Sequence, residues 1–182
     1  MTGKKFAGKN PERNFVARKA FGVDNGAMSA ELDAVDRMLL VALQEDARTP
    51  QATLGARVGL STAAVNRRMR RLTDEGVITG SAVTVAPELV GRPVTVIAHV
   101  AVESEQLELL DRVRAAFVAC PQVQQCYYVA GEWDFVLVLA VVDMAEYTQL
   151  TRDLFFGDPN VKRFSTQVVM DRAKVTLTVP VD

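Results

Sequence analysis

The sequence predicts an α+β protein with an N-terminal winged helix-turn-helix and a C-terminal ferredoxin-like βαββαβ sandwich. Two observations carry this prediction. Before residue 84, three short helical patterns precede two short β segments, and from residue 94 onward the order strand-helix-strand occurs twice. We therefore expect four parts. They are a flexible basic arm at 1–27, a winged helix-turn-helix domain at 28–83, a linker at 84–93 and a sandwich at 94–182.

Each helix of the first half has a start or stop signal. Asp33 precedes a helical repeat of leucines and is suited to cap it. Thr49-Pro50 begins a second helix, which we expect to end at Gly59, where a sharp turn needs a positive φ. Ser61 caps a third helix that ends at Gly76. The β segments at 77–80 and 82–85 then predict a hairpin wing.

The second half predicts a sheet covered by two helices. Its predicted strands lie at 94–102, 123–130, 133–142 and 161–170, with a possible edge strand at 174–179, and its helices at 105–119 and 143–156. The strand at 135–142 is continuously apolar, which indicates burial on both faces. A single sandwich covers only one face, so we expect the protein to dimerise through the open face.

Composition excludes several classes of protein. Of the 182 residues, 49% are hydrophobic and 24% charged, which is typical of a globular chain. No apolar run reaches the roughly 18 residues that span a bilayer, and the basic, polar start of the chain does not resemble a signal peptide. Two cysteines and one histidine argue against a disulfide framework or a metal site. We expect a cytoplasmic protein without a cofactor or membrane partner.

Charge is unevenly distributed along the chain. Although the net charge is only −1, residues 47–73 contain six arginines and no acid. Such a basic patch is typical of a polyanion site, whereas an ordinary solvated helix mixes both signs. On the third helix, the residues expected to face DNA combine base-reading side chains with a phosphate-binding N-terminus. These candidate DNA contacts are Ser61, Thr62, Ala63, Asn66, Arg67, Arg70 and Arg71.

Several segments in both halves form one pattern. They are Leu32-Asp33 with Asp36-Arg37 and Leu39-Leu40, Val58-Gly59-Leu60-Ser61, Arg68-Met69-Arg70-Arg71-Leu72 with Glu75-Gly76-Val77-Ile78, Tyr128-Val129-Ala130-Gly131-Glu132-Trp133-Asp134 and Val168-Val169-Met170. Together these segments resemble the Lrp/AsnC family of bacterial transcription regulators. The resemblance implies a regulator that binds operator DNA, assembles into dimers and octamers, and senses a small molecule, usually an amino acid. One departure is Thr62-Ala63-Ala64, where many members have prolines, so the resemblance does not imply an operator sequence.

The resemblance also implies an effector site where sandwiches of neighbouring dimers meet. Carried onto this sequence, it nominates Tyr128, Gly131 and Asp134 on one side and Ser165, Thr166 and Val168 on the other. A carboxylate would accept from an effector's ammonium group, and the backbone N–H groups of a glycine turn would bind its carboxylate. Asp134 has an equally simple alternative role, as a strand-start residue satisfied by the turn. His99 and Trp133 are expected in the core or at an interface.

We expect no catalytic activity. The sequence shows no nucleophile paired with a base, no phosphate-binding glycine loop and no metal-ligand spacing. Sandwiches of this kind do host enzymes, so the fold alone leaves an alternative open. That alternative is a small-molecule-binding or enzymatic module with a vestigial DNA-binding domain.

Overall fold

A computed structural model describes residues 31–182, and the predicted basic arm at 1–27 lies outside this range. The described chain forms two compact units. The first contains the residues up to Thr84 together with Ala173–Asp182, and the second contains Val85–Arg172. Within the described range, no helix is long and apolar enough to cross a membrane.

The first unit is built on three helices in its described part, α1 (Ala34–Glu45), α2 (Gln51–Val58) and α3 (Thr62–Asp74). Asp33 caps α1 as predicted, because its side chain accepts from the N–H of Asp36. The helices enclose a small core of fully or almost fully buried side chains, formed by Leu39, Ala42, Leu54 and Val65.

The turn between α2 and α3 follows the predicted geometry. Gly59 ends α2 with a φ of 69°, a conformation that glycine adopts without strain. Ser61 then caps α3, and its hydroxyl accepts from the N–H of Ala64 at 3.3 Å. A helix-turn-helix arrangement is therefore confirmed.

The predicted hairpin wing is not formed in this chain. Residues 77–86 contain no strand. Gly76 follows α3 with a φ of 74°, and the N–H groups of Val77 and Ile78 both donate to the carbonyl of Leu72, at 2.9 and 3.0 Å. The bond from Val77, together with one from Gly76 to the carbonyl of Thr73 at 3.0 Å, closes the last turn of α3 in a Schellman arrangement. These N–H groups, with that of Ile78, are therefore not available to a strand ladder.

The edge strand predicted at 174–179 is also absent from the structure. This segment belongs to the first unit, although the sequence placed it with the sandwich. Its backbone pairs with a side chain rather than a strand. The amide of Gln44 on α1 accepts from the N–H of Val179 at 2.8 Å and donates to its carbonyl at 3.1 Å.

The second unit is the predicted split βαβ sandwich. After a short 3₁₀ turn (Pro87–Val90) its elements are β1 (Val94–Val102), α4 (Leu107–Ala119), β2 (Val123–Tyr128), β3 (Phe135–Val141), α5 (Met144–Thr151) with a wider π turn (Arg152–Phe156), and β4 (Val161–Val168). The strand order is β2-β3-β1-β4, and all neighbouring strands are antiparallel. This order is the ferredoxin-like arrangement.

The two faces of the sheet differ in how they are covered. On one face, Phe117 of α4 packs edge-on against Phe135 and Phe155, with ring centroids 5.4 and 5.9 Å apart. Residues of β1 and β3 that alternate with this face point to the other side, where none of the described helices covers them. Among these residues, Ile97 and Val138 are half-buried neighbours. Among the described residues, the second face of the sheet is therefore open, with an aliphatic centre and polar residues along its edge strands.

Candidate nucleic-acid interface and effector region

The outward face of α3 carries the predicted DNA contacts. The helix rests on Val65 and Leu72, which are completely buried. Because a helix turns about 100° per residue, the opposite side faces solvent. All seven predicted contacts are exposed, namely Ser61, Thr62, Ala63, Asn66, Arg67, Arg70 and Arg71. Asn66, Arg67, Arg70 and Arg71 also line one shallow depression with Asp74 and Glu75.

The four arginines of α3 fall into two pairs. The guanidinium groups of Arg67 and Arg70 have no ion pair or hydrogen bond to any other residue between 31 and 182. Arg68 donates to Asp33 Oδ2 at 2.6 Å and to Asp36 Oδ1 at 2.8 Å, and Arg71 donates to Asp36 Oδ2. Two arginines thus lie against α1, and two point away from it.

The acids that hold Arg68 and Arg71 lie outside the acid-free stretch of the sequence. Asp33 and Asp36 form a reciprocal capping box at the start of α1. The Asp36 carboxylate is completely buried, whereas Asp33 is exposed. The N–H of Asp36, followed by the guanidinium of Arg68, lowers the pKa of Asp33 from its ordinary value. The sequence indicated a cap at this position but not its ion pairs with α3.

Asp134, nominated for the effector site, faces the protein interior. It is 2% exposed, and its carboxylate accepts from the N–H of Val102 at 2.8 Å. Its backbone N–H donates to Val100, and its carbonyl accepts from Val129, at 2.9 and 2.8 Å. Asp134 therefore ties the turn before β3 to the end of β1.

The other nominated residues on this side lie at the edge and the turn of the sheet. Tyr128 ends β2 and packs edge-on against Phe135, with ring centroids 5.2 Å apart. Gly131 is exposed in the turn that follows. This glycine has open space around the position of a Cβ atom.

The three residues nominated on β4 do not share one face. Thr166 shares a 2.7 Å hydrogen bond with the hydroxyl of Tyr147 on α5, so it lies on the helix side. Ser165 precedes it on the strand and pairs with His99, which places it on the open side. Val168 lies near the end of β4, opposite Val96.

The two nominated halves also lie at opposite edges of the sheet. β2 and β4 are separated by β3 and β1, which corresponds to roughly 14 Å at the usual strand spacing. A single sandwich consequently does not bring Tyr128 and Thr166 to one ligand. A site that uses both halves needs two copies of the chain.

A cluster that the sequence did not reveal joins the turn to the start of β4. The guanidinium of Arg163 lies 4.1 Å from the ring centroid of Trp133, and the ring of His99 lies 5.8 Å from it. Arg163 also pairs with Glu132 at 3.2 Å. Trp133 therefore packs beside the open face, in agreement with the expected packing role.

Comparisons with known proteins match both units. The family described as the AsnC-type helix-turn-helix domain matches residues 32–73, and the Lrp/AsnC ligand binding domain matches residues 95–179. The HTH-type transcriptional regulator y4tD of Sinorhizobium fredii is 41% identical over 152 residues, covering 84% of this chain and 90% of that protein.

Solved structures agree with this result. An AsnC family transcriptional regulator from Agrobacterium tumefaciens superposes with a TM-score of 0.77 at 30% identity, covering 82% of this chain and 97% of that one. A transcriptional regulator from Neisseria meningitidis, solved in complex with L-Met, gives 0.76 at 26% identity, covering 82% and 96%.

A helix-turn-helix with an exposed basic helix, followed by a ferredoxin-like sandwich, defines a DNA-binding transcription regulator with a separate ligand-binding domain. The chain belongs to the Lrp/AsnC family of transcription regulators.

Proposed function

We propose that this regulator binds its operator through the outward face of α3, and that an amino-acid effector acts on an assembly of its sandwiches in the cytoplasm. The observation that carries the DNA-binding part is the exposed group of Asn66, Arg67 and Arg70, which is not engaged by the rest of the described chain. Arginine binds guanine and asparagine binds adenine through paired hydrogen bonds in the major groove. Ser61 places free N–H groups at the start of the helix, where a phosphate binds.

The test measures binding of the full chain to a duplex that the wild-type protein has selected from a randomised pool. Arg67→Ala and Arg70→Ala should each weaken binding by about tenfold or more, the range expected for a lost base or phosphate contact. Arg114→Ala removes the same charge from α4 of the other unit and serves as the control, with wild-type affinity expected. Unchanged DNA affinity in both α3 variants would contradict the assignment of this interface.

The open sheet face supports a second copy of the chain as its partner. Its central residues are aliphatic, and Ile97 and Val138 are neighbours on adjacent strands. Burial of such a face in a dimer removes apolar area from water, which is the dominant favourable term in association. Two sandwiches placed face to face would also give the two DNA-binding units of a dimer a two-fold relation that suits a pseudo-palindromic operator.

The effector region supports a site shared by at least two copies of the chain, because its nominated halves cannot meet within one sandwich. In this proposal the turn that contains Tyr128 and Gly131, supported from inside by Asp134, meets β4 of a neighbouring copy. In this proposal the main chain of the turn lies beside the ligand, together with the Thr166 hydroxyl on β4, which also bonds to Tyr147. The L-Met complex of the Neisseria meningitidis regulator supports an amino acid as the ligand class.

A thermal-shift screen of the twenty amino acids tests the effector part. A ligand that binds the folded assembly raises the unfolding midpoint as its concentration rises above the dissociation constant. The active amino acid should also change the mass of the assembly in light scattering, since the site is expected to join two copies. A screen with no shift at millimolar concentration of any amino acid would exclude this ligand class.

A further inference from the structure

The buried carboxylate of Asp36 lies on α1, yet it holds two arginines of the DNA-binding helix. We propose that Asp36, assisted by Asp33, is a positioning group for DNA recognition. It sets the register of α3 and withdraws Arg68 and Arg71 from phosphate, so that the discrimination between operator and unrelated DNA depends on it.

Both oxygens of this carboxylate are occupied. Oδ1 accepts from Arg68 at 2.8 Å, and Oδ2 accepts from Arg71 and, at 3.2 Å, from the N–H of Asp33. Arg68 and Arg71 are three residues apart on α3, about 4.5 Å along the helix axis. Two attachments at successive levels of a helix restrict both its rotation and its sliding. A single cap would not do this.

The burial of the Asp36 carboxylate makes its hydrogen-bond partners necessary. A carboxylate with no exposed surface is stable only when charged and polar partners replace the water that it has lost. Arg68 and Arg71 keep their own partial exposure, at 29% and 43% of the side chain, so the larger desolvation cost falls on Asp36. A shift of α3 that broke either bond would leave this carboxylate undersatisfied, and the observed position is favoured for that reason.

The pairing with Asp33 and Asp36 also determines how much positive charge α3 offers to DNA. Four arginines at 67, 68, 70 and 71 would raise binding to any duplex, because each phosphate contact releases counterions irrespective of sequence. Asp33 and Asp36 offset the charges of Arg68 and Arg71. Glu75 is a third acid near this pair, with its carboxylate 4.0 Å from the guanidinium of Arg71. Arg67 and Arg70 then dominate the contact, because their side chains are exposed and do not pair with α1.

Two adjacent arginines provide a matched test. Binding of full-length Arg70→Gln and Arg71→Gln is measured by fluorescence anisotropy over a range of salt concentrations, on an unrelated duplex and on the duplex selected by the wild-type protein. Arg70→Gln should reduce the slope of log affinity against log salt by about one. Arg71→Gln should leave the slope on the unrelated duplex at its wild-type value and weaken binding to the selected duplex about tenfold.

Substitution of Asp36 should increase the positive charge that α3 offers to DNA, whereas Arg70→Gln decreases it. Asp36→Asn keeps the shape of the side chain and removes the carboxylate charge from both arginines. Arg68 keeps its pair with Asp33 and Arg71 does not keep an equally close acid, so the slope on the unrelated duplex should rise by about one. Its affinity for that duplex should increase, and the ratio of selected to unrelated binding should fall about tenfold. Glu45→Gln is the control. It removes one negative charge from α1 at a residue that pairs with Arg57 on α2, and it should leave the slope unchanged.

A second variant, Asp33→Asn, tests the proposal if Asp36→Asn does not fold. Asparagine caps a helix as well as aspartate does, so Asp33→Asn should keep α1 folded and remove one of the two acids that hold Arg68, with a slope between those of the wild-type protein and Asp36→Asn. The proposal is overturned if Arg71→Gln lowers the slope as much as Arg70→Gln does, or if a folded Asp36→Asn keeps the wild-type slope and discrimination. A lack of effect from Arg70→Gln would instead contradict the proposed DNA interface.

Discussion

The carbonyl oxygen of Leu60 lies 2.4 Å from the position that a Cβ atom on Gly55 would occupy. The same turn is held by a hydrogen bond from the N–H of Leu60 to the carbonyl of Gly55, at 2.9 Å. Helix α2 can therefore meet the backbone that leads into α3 only where a residue has no side chain. The angle between these two helices depends on this contact, and so does the presentation of α3.

Gly55→Ala should destabilise the first unit by about 1–3 kcal/mol, because the added methyl group meets backbone, which cannot rotate away. Chemical denaturation followed by circular dichroism measures the loss. Gly80→Ala is the matched control, since no atom lies within 4 Å of its Cβ position and its stability should remain at the wild-type value. Equal midpoints for Gly55→Ala and the wild-type protein would contradict the close contact.

The open face of the sheet should control the mass of the particle in solution. Val138→Glu places a charge in the centre of this face, next to Ile97, where dimer formation would bury it without a partner. We expect this variant to be monomeric by light scattering at a concentration where the wild-type protein is dimeric or larger. Leu107→Glu makes the same change at an exposed position on α4 and should keep the wild-type mass. A wild-type mass for Val138→Glu would argue against this interface.

Asp134 should act on the effector turn from inside the protein. Asp134→Ala leaves the buried N–H of Val102 without its acceptor, which costs about 1–3 kcal/mol of stability. We expect the variant to lose its thermal shift with the active amino acid and to retain binding to the selected duplex. Asp153→Ala, an exposed acid on the π turn, is the control for the lost charge. A normal effector response in a folded Asp134→Ala protein would remove this residue from the site.

Local signals in the sequence predicted much of this structure. The cap at Ser61, the positive φ at Gly59 and the order of strands and helices each depend on residues a few positions apart, and the structure confirms them. The wing was predicted from two β-prone segments. It does not form, because Gly76 directs the following N–H groups back to α3.

The remaining features depend on residues that are distant in the sequence. Arg71 meets Asp36 across 35 positions, and no periodicity connects them. Similarly, Ser165 and Thr166 are neighbours in the chain, but the pleat of β4 sends them to opposite faces. The exposed residues of α3 were predicted individually, whereas the pairing that separates Arg70 from Arg71 required the packing of α1 against α3.

Glu146 at the start of α5 should make the stability of the sandwich depend on acid pH. Its carboxylate accepts from the N–H of Val142 at 2.6 Å and from the side chain of Gln122 at 2.8 Å, and it pairs with Arg92 at 3.3 Å. These partners, with the Val142 N–H contributing most, lower the pKa of Glu146 from its ordinary 4.5. The folded protein therefore binds fewer protons at this carboxyl than the unfolded chain does near that pH.

The stabilisation is then fully present above pH 4.5, the ordinary pKa, and is lost as the pH falls through the lower folded value. Glu146→Gln removes this dependence. The difference in unfolding free energy between the wild-type protein and Glu146→Gln should be constant between pH 6 and 8 and should shrink below about pH 4.5 in urea titrations. Glu108→Gln, on the exposed first turn of α4, is the control for a lost surface carboxylate. A difference that stayed constant down to pH 3 would show that the contacts of Glu146 do not favour its charged form.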